Sequence, residues 1–465
     1  MAGPWAVLLL LCFVQLMTVI DGTVVNVALP SISRDLSFGP GEVQWVLTVY
    51  LLCTGGMMLL SGRVADRFGP RRVLRLGTAL FAAASLCSGL APHPLVLIVG
   101  RGAQGAGAAL MTPAALSIVT TMYTGARRAA ALGTWGAVAS GGFVAGLLVG
   151  GVLTTALSWR WIFFVNVPIS ILVLALVPLL VAADRTDREA QESRLPVLGA
   201  VALTAGLVAI VFAISAPQGL GAAGELGALG VGFGLLAGFV LLDRRSDHPM
   251  LAPALLRTRS LVTGSALMFV TTGVLVGVLF VTTFFLQERV HASPLVTGLD
   301  YLPFGVTIAL ASQFAPRLLR RFGTRVTGTA GLFLVAAGAL FLSATAGSTG
   351  YVTSLLPAFL LLGGGTGLAI VSASNTAMAH VPSEHAGAAS GLLMTGHEAG
   401  AALGVAVLSA IAAAAAQGAG GMRIGDGYPL ALTVTAGLAA ALALLTAWAM
   451  PSVRPPMAAG GHPQH

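Results

Sequence analysis

The sequence predicts an all-α membrane protein of fourteen transmembrane helices. Three observations carry that class. Hydrophobic residues make up 56% of the 465 positions and charged residues only 9%, against roughly 45–50% and 25% in soluble domains. Apolar runs long enough to cross a bilayer, about 20 residues each, follow one another with short connections. All of the 24 basic residues are arginine, and they gather in alternate connections.

The runs fall at 6–29, 43–62, 73–91, 95–120, 130–154, 160–182, 196–215, 225–242, 261–286, 297–315, 326–346, 352–377, 391–412 and 428–450. The first has no basic residue before it, exceeds twenty residues and lacks a small-residue cleavage site, so it reads as a retained span and not a signal peptide. The second and third are separated by an arginine-rich loop. The fourth and fifth carry Gly105, Gly107, Gly142, Gly146, Gly150 and Gly151, small residues that let helices approach closely. The sixth follows Arg160 and begins in aromatics. The seventh and eighth form a hairpin with no ionisable group in the first of the pair. The ninth to fourteenth repeat the lengths of the first six. Counting alternate connections puts 19 arginines, Arg454 among them, on the side of the termini and four (Arg34, Arg160, Arg289, Arg423) on the other. The excess predicts that both termini are cytoplasmic. Cys12, Cys53 and Cys87 lie in apolar runs and suggest neither a disulfide framework nor a metal site.

An internal repeat divides the chain. SGRVADRFGPRRV (Ser61–Val73) and APRLLRRFGTRV (Ala315–Val326) align at an offset of 254, matching Arg63, Arg67, Phe68, Gly69 and Arg71 with Arg317, Arg321, Phe322, Gly323 and Arg325. An offset of 260 matches Gly105, Gly107 and Ala109 with Gly365, Gly367 and Ala369. Two parallel halves facing a midplane cavity are the plan of one transporter class. The expected domains are a six-helix bundle over 1–182, an inserted hairpin with its linkers over 183–260, and a second six-helix bundle over 261–465.

These segments resemble the major facilitator superfamily, in particular its fourteen-span drug:proton antiporters. GRVADRFGPRR is similar to the signature between the second and third spans of that superfamily. IDGTVVNVALP (Ile20–Pro30), RGAQGAGAALMTPAALSIV (from Arg101), SWRWIFFVNVPI (Ser158–Ile169) and GAASGLLMTGHEAGAALGVAV (from Gly387) resemble the signatures of spans one, four, the five–six connection and thirteen. The resemblance implies the major facilitator fold, with two six-helix bundles plus two inserted helices. It also implies proton-coupled export by alternating access. One departure stands in span five, where AGLLVGG has Leu147 at the place of the proline expected in the antiporter signature. That leaves antiport and symport both open.

Ionisable groups inside spans cost about 2.5–3.5 kcal/mol or more at a helix centre, so each calls for a reason. Asp21, Arg101, His397 and Glu398 lie well inside; Asp300 is in the first turn of span ten. A carboxyl group in apolar surroundings can exchange a proton or attract a cationic substrate, and Asp21 can do either, or serve structure alone. Arg101 never loses its proton; the resemblance assigns it to proton coupling, where it is expected to work with Asp21 of the same half, the alternative being that it holds backbone carbonyls of neighbouring helices. Glu398 is a second carboxylate in the other half, and His397 titrates near neutrality when unperturbed. By resemblance, Asp66 with Arg67, Arg71 and the turn-forming Gly62 and Gly69 makes a latch between halves, a gate and not a binding site. Substrate-contact candidates are Asn26, Trp45, Tyr50, Phe143, Phe284, Phe285 and Asn375, on spans that line the cavity in the family.

No cofactor, catalytic residue or metal site is expected. The chain has no lysine to complete a phosphate-binding loop G-x-x-x-x-G-K-[ST]. His380, Glu384 and His385 have faintly metal-like spacing without a zinc signature. No basic face of a water-soluble fold suggests nucleic acid. The expected partners are a small-molecule substrate, protons and the bilayer, and the protein is expected to be monomeric. The alternatives are a symporter or uniporter of a small metabolite and, more distantly, a membrane enzyme.

Overall fold

A computed structural model describes residues 4–39, 41–184, 196–215, 221–246, 249–251, 253–347, 350–382, 385–418 and 424–454. Arg185, Arg188, Arg194, Arg423 and Glu384 fall outside the described residues. Fourteen long helices are present among the described residues: α1 (Pro4–Asp35), α2 (Trp45–Phe68), α3 (Pro70–Gly89), α4 (Pro94–Met122), α5 (Gly125–Ala156), α6 (Trp161–Leu180), α7 (Val197–Ile214), α8 (Gly221–Arg244), α9 (Arg259–Arg289), α10 (294–322), α11 (324–344), α12 (Tyr351–Met378), α13 (Ala386–Gly418) and α14 (Tyr428–Ala449). Helices α10 and α11 run on through Gly323, whose φ of 80° and ψ of 167° break the helix. Helix α3 is the least apolar of the set because it begins in Arg71, Arg72 and Arg75.

The repeat is visible as geometry. Gly69 has φ +90° and Gly323 φ +80°, a region that side chains with a Cβ rarely adopt. Each sits where the chain following the sixth helix of its bundle folds back. A Cβ on Gly69 would lie 2.2 Å from the Asp184 carboxyl carbon, and one on Gly323 would lie 2.4 Å from Ser452 Oγ. Asp184 accepts hydrogen bonds from the backbone N–H groups of Arg71 (2.9 Å) and Arg72 (3.1 Å). In the second bundle the Val453 carbonyl accepts from Thr324 N–H at 2.9 Å. Both return segments thus satisfy N–H groups left open at a helix start.

The glycine register in α4 and α12 corrects the offset of 260. Gly107 is packed on Gly77 and Phe81, and Gly365 on Gly331 and Val335. Gly105 is packed on Tyr50 and Cys53, and Gly363 on Phe304 and Thr307. Every one of those neighbour pairs is 254 apart, so Gly105 and Gly107 correspond to Gly363 and Gly365, an offset of 258. The run GGGTG at 363–367 offers several glycine registers, and only the packing partners choose among them.

The two bundles meet tightly at the end opposite the arginine-rich loops. Gly298 approaches the Leu147 carbonyl, Gly305 approaches Val144, and Gly151 approaches the Pro294 carbonyl. Gln287 Nε2 donates to the Val27 carbonyl at 2.8 Å, and Thr283 Oγ1 to Asn26 Oδ1 at 3.3 Å. Towards the arginine-rich end, α5 and α10 part. The face of α5 that carries Val144, Leu147 and Gly151 continues as Gly133, Ala137 and Ser140, and nothing lies within 4 Å of a Cβ placed on Gly133. On the other seam, α7 of the inserted hairpin packs on α2: Thr204 Oγ1 fills the space beside Gly56, and Phe212 lies 6.4 Å from Trp45.

Each bundle also carries one ion pair at the tight end. Arg160 pairs with Asp35 at 2.5 Å, and Arg289 with Asp426 at 3.3 Å. In both, the end of the first helix of a bundle is tied to the connection before its sixth.

Candidate functional site

Five helices of the first bundle converge on a polar cluster. Arg101 and Asp21 are both 0% exposed, and Nη1 meets Asp21 Oδ2 at 2.5 Å. Arg101 Nε donates to the Val46 carbonyl at 3.0 Å and Nη1 also to Gln104 Oε1 at 3.1 Å. The guanidinium lies 4.1 Å from the centre of the Tyr50 ring and 5.8 Å from that of Phe163, which adds cation–π attraction. Asp21 Oδ1 accepts from Asn166 Nδ2 at 2.7 Å and from Gln104 Nε2 at 3.1 Å. Ser85 Oγ accepts from both amides, at 3.2 and 3.0 Å, and donates to the Phe163 carbonyl at 3.0 Å. Two opposite charges out of water are tolerable when paired and fully hydrogen-bonded. Asp21 meets that condition. Arg101 does so except at Nη2, a buried nitrogen with no hydrogen-bond partner.

The local sequence explains the arrangement. Arg101 and Gln104, three apart on α4, share a helix face. Pro94 opens α4, and Asn166 follows the single helical turn Trp161–Phe164, set off from the rest of α6 by a break at Val165. That break lets the Phe163 carbonyl and the Asn166 amide face Ser85 together.

Among the described residues the second half holds no copy of this cluster. Arg101 corresponds to Phe359 at the offset of 258, and Tyr50 to Phe304 at the offset of 254. Phe359 lies 6.0 Å from Phe304 and 5.4 Å from Tyr301. An aromatic stack occupies the place of the ion pair. His397 and Glu398 sit elsewhere, at the seam between bundles. Their side chains approach at 3.5 Å and Glu398 is 16% exposed. A Cβ on Gly55 of α2 would lie 2.6 Å from Glu398 Cβ, and Thr395 one turn away donates to the Gly55 carbonyl at 2.9 Å.

Asp66 lies in the last turn of α2 and is exposed, and the carboxylate that engages the α2–α3 junction is Asp184. Arg71 reaches the Pro178 carbonyl at 2.7 Å, Arg63 the Pro249 carbonyl at 2.5 Å, and Arg67 lies 5.5 Å from the Phe68 ring. Gly69 has the expected tight-turn role. Gly62 does not: nothing lies within 4 Å of a Cβ placed there, so no close helix approach depends on it in this conformation.

The seven substrate candidates are not gathered round one point. Asn26 is buried in the tight seam with Thr283, Tyr50 supports Arg101, and Trp45 faces the inserted hairpin. Phe284 is buried beside Phe280 at 5.0 Å. Phe285 stacks on Tyr428 at 4.1 Å and 11°. Phe143 is partly buried against the core. Asn375 donates to the Val371 carbonyl of its own helix at 2.9 Å. Conversely, the sequence alone does not single out Ser85, Gln104, Asn166 or Asp184, which the structure brings into these contacts. Gln104 and Asn166 lie inside the quoted segments RGAQGAG and FFVNVPI, but a search for ionisable groups passes over amides.

The Major Facilitator Superfamily sequence pattern matches residues 11–405. The chain is 39% identical over 458 residues to a puromycin resistance protein of Streptomyces alboniger, which covers 95% of this chain and 90% of that protein. It is 36% identical to a lincomycin resistance protein of Streptomyces lincolnensis (88% and 84% covered) and 36% identical to a cephamycin export protein of Amycolatopsis lactamdurans (88% and 85%). In fold it is similar to an inward-facing bacterial homologue of the human lysosomal transporter Spinster, with a TM-score of 0.70 at 18% identity over 97% of this chain and 98% of that one.

Proposed function

The chain belongs to the Major Facilitator Superfamily, and on that premise we propose that it exports small amphipathic drugs or a natural-product antibiotic across the cell membrane by proton-coupled alternating access. It is a transporter and not an enzyme. The relatives that resist or export puromycin, lincomycin and cephamycin support the substrate class. In this reading residues 1–182 and 261–465 are the moving bundles and 183–260 the inserted hairpin with its linkers. Both termini are cytoplasmic, and the parted end of α5 and α10 is the cytoplasmic mouth.

The observation that carries proton coupling is the buried Asp21–Arg101 pair. Arg101 keeps its charge, so a proton arriving on Asp21 dissolves the pair and leaves a buried cation in need of a new partner. A change of conformation can supply that partner, and departure of the proton restores the pair. Glu398 and His397, at the seam facing α2, form the second proton or cation site of the reading. Asp66, Arg67 and Arg71 act as the cytoplasmic latch when that end closes.

The test is transport in inverted membrane vesicles with an imposed pH gradient, with puromycin, lincomycin and cephamycin as probes. Uphill accumulation of at least one probe should collapse when the gradient is dissipated. Asp21→Asn should abolish uphill accumulation and spare downhill exchange, which needs no net proton movement. Normal uphill export with normal pH dependence in that variant would move the proton to Glu398 and His397. A symport reading is kept open by Leu147, buried in the tight seam without a proline kink; proton flux in the same direction as the probe would establish it.

A further inference from the structure

The two amides that hold Asp21 are not equivalent. Gln104 is engaged at both ends: its nitrogen serves Asp21 and Ser85, and its oxygen accepts from Arg101 Nη1 at 3.1 Å and Ser88 Oγ at 3.4 Å. Asn166 makes its two hydrogen bonds from nitrogen, to Asp21 Oδ1 at 2.7 Å and Ser85 Oγ at 3.2 Å. An ionised carboxylate only accepts, whereas a carboxylic acid must also donate. For Asp21 to carry a proton on Oδ1, one surrounding donor must become an acceptor. Arg101 has no acceptor, and turning Gln104 over would break both bonds at its oxygen. Turning the Asn166 amide over places Oδ1 where Nδ2 stood.

We propose that Asn166 is a positioning residue for the proton-coupled step, donating to Asp21 while it is charged and turning its amide over to accept from the acid. The proposal rests on the proton-coupling reading above. The turned oxygen also faces Ser85, whose hydroxyl then leaves the Phe163 carbonyl and donates to Asn166. Phe163 belongs to the first turn of α6, so the proton on Asp21 is registered at the start of that helix. No covalent bond changes apart from the transfer of one proton from water to Asp21 Oδ1.

The charged and titratable groups around Asp21 are few. Helix α4 brings Arg101, and α2 brings Tyr50 beneath it. Helix α13 brings Glu398 with His397, facing Gly55 of α2. Helices α3, α5, α6 and α9 bring no acid or base to this depth.

The experiment follows the carboxylic acid C=O stretch by infrared difference spectroscopy on the purified full-length protein as pH is varied. The Asp21 signal is the component absent from Asp21→Asn. Asn166→Leu removes a partner from both forms, but the bond to the charged form is the stronger. The midpoint should rise by about one pH unit, tenfold in proton affinity. Asn166→Asp, close in size, sets two carboxyl groups to share a proton, and the midpoint should rise by about two units or more. Ser85→Ala, which orients Asn166 without touching Asp21, should give a smaller rise than either. An unchanged or lowered midpoint in folded Asn166→Leu overturns the proposal; should that variant fail to fold, Asn166→Asp carries the same test. If Asp21→Asn leaves every titrating band in place, the coupling reading has failed instead. If the band vanishes there but stays put in the Asn166 variants, only the positioning role is lost.

Discussion

At the scale of single residues, two glycines of one sequence motif, Gly62 inside α2 and Gly69 at its end, separate what looks alike in sequence. Gly69 combines φ +90° with Asp184 pressed against it, whereas nothing lies near Gly62. Gly69→Ala should lower the thermal unfolding midpoint through a left-handed strain of about 1–2 kcal/mol, plus loss of the Asp184 cap. Gly62→Ala should leave the midpoint within error, and equal effects would show that the loop is not held by Asp184. Arg101→Lys keeps the charge but cannot reach Asp21, Val46 and Gln104 from one planar fork. Uphill transport should fall at least tenfold while the protein remains in the membrane. That Asp21 and Arg101 need a reason to be buried was legible in sequence, because ionisable groups in apolar helices are costly; that they pair with each other is read from the structure. Its amide and hydroxyl supports were not legible. A buried glutamine or asparagine costs less to bury than a charge, so its presence in a span demands no explanation until its neighbours are known.

At the scale of helices, the α5–α10 seam makes a paired prediction. Gly305→Leu should prise the tight end apart, since a Cβ there already meets Val144 at 2.7 Å. Gly133→Leu has open space in this conformation and should express and fold normally. It should nevertheless block transport at least tenfold, because the parted faces must close for the cycle to turn. Cysteines placed in the seam and tested for cross-linking distinguish the two. Active Gly133→Leu would mean that these faces never meet. The fourteen helices were legible from length and apolarity. The break at Gly323 was legible as a boundary between two runs, though the backbone continues through it almost as one helix. The glycine register of the repeat was not, since Gly-rich runs match one another at several offsets and only the packing partner tells them apart.

At the scale of the whole molecule, the proposed plan sets a hairpin between two bundles, and the arginine excess predicts its orientation. Cysteine at Gly221, at the start of α8, should label with an impermeant reagent in intact cells, and cysteine at Asp187 should not, both on a Cys87→Ser background. Labelling in the reverse pattern would invert the molecule in the bilayer. The overall plan was legible because a repeat of helices with alternating charge leaves few ways to thread a membrane. The conformation was not, because both ends of the seam are written in the same small residues. The two bundles, so alike in path, also have to assemble without borrowing from one another during insertion. The ion pairs at the tight end bear on this. The first bundle ends its leading helix in Asp35 and answers it with Arg160; the second ends in Arg289 and answers with Asp426. Because the signs are reversed, a leading helix offered to the connector of the wrong bundle meets its own charge. Each exposed pair therefore favours its own bundle over the other, by the small margin that surface charges contribute.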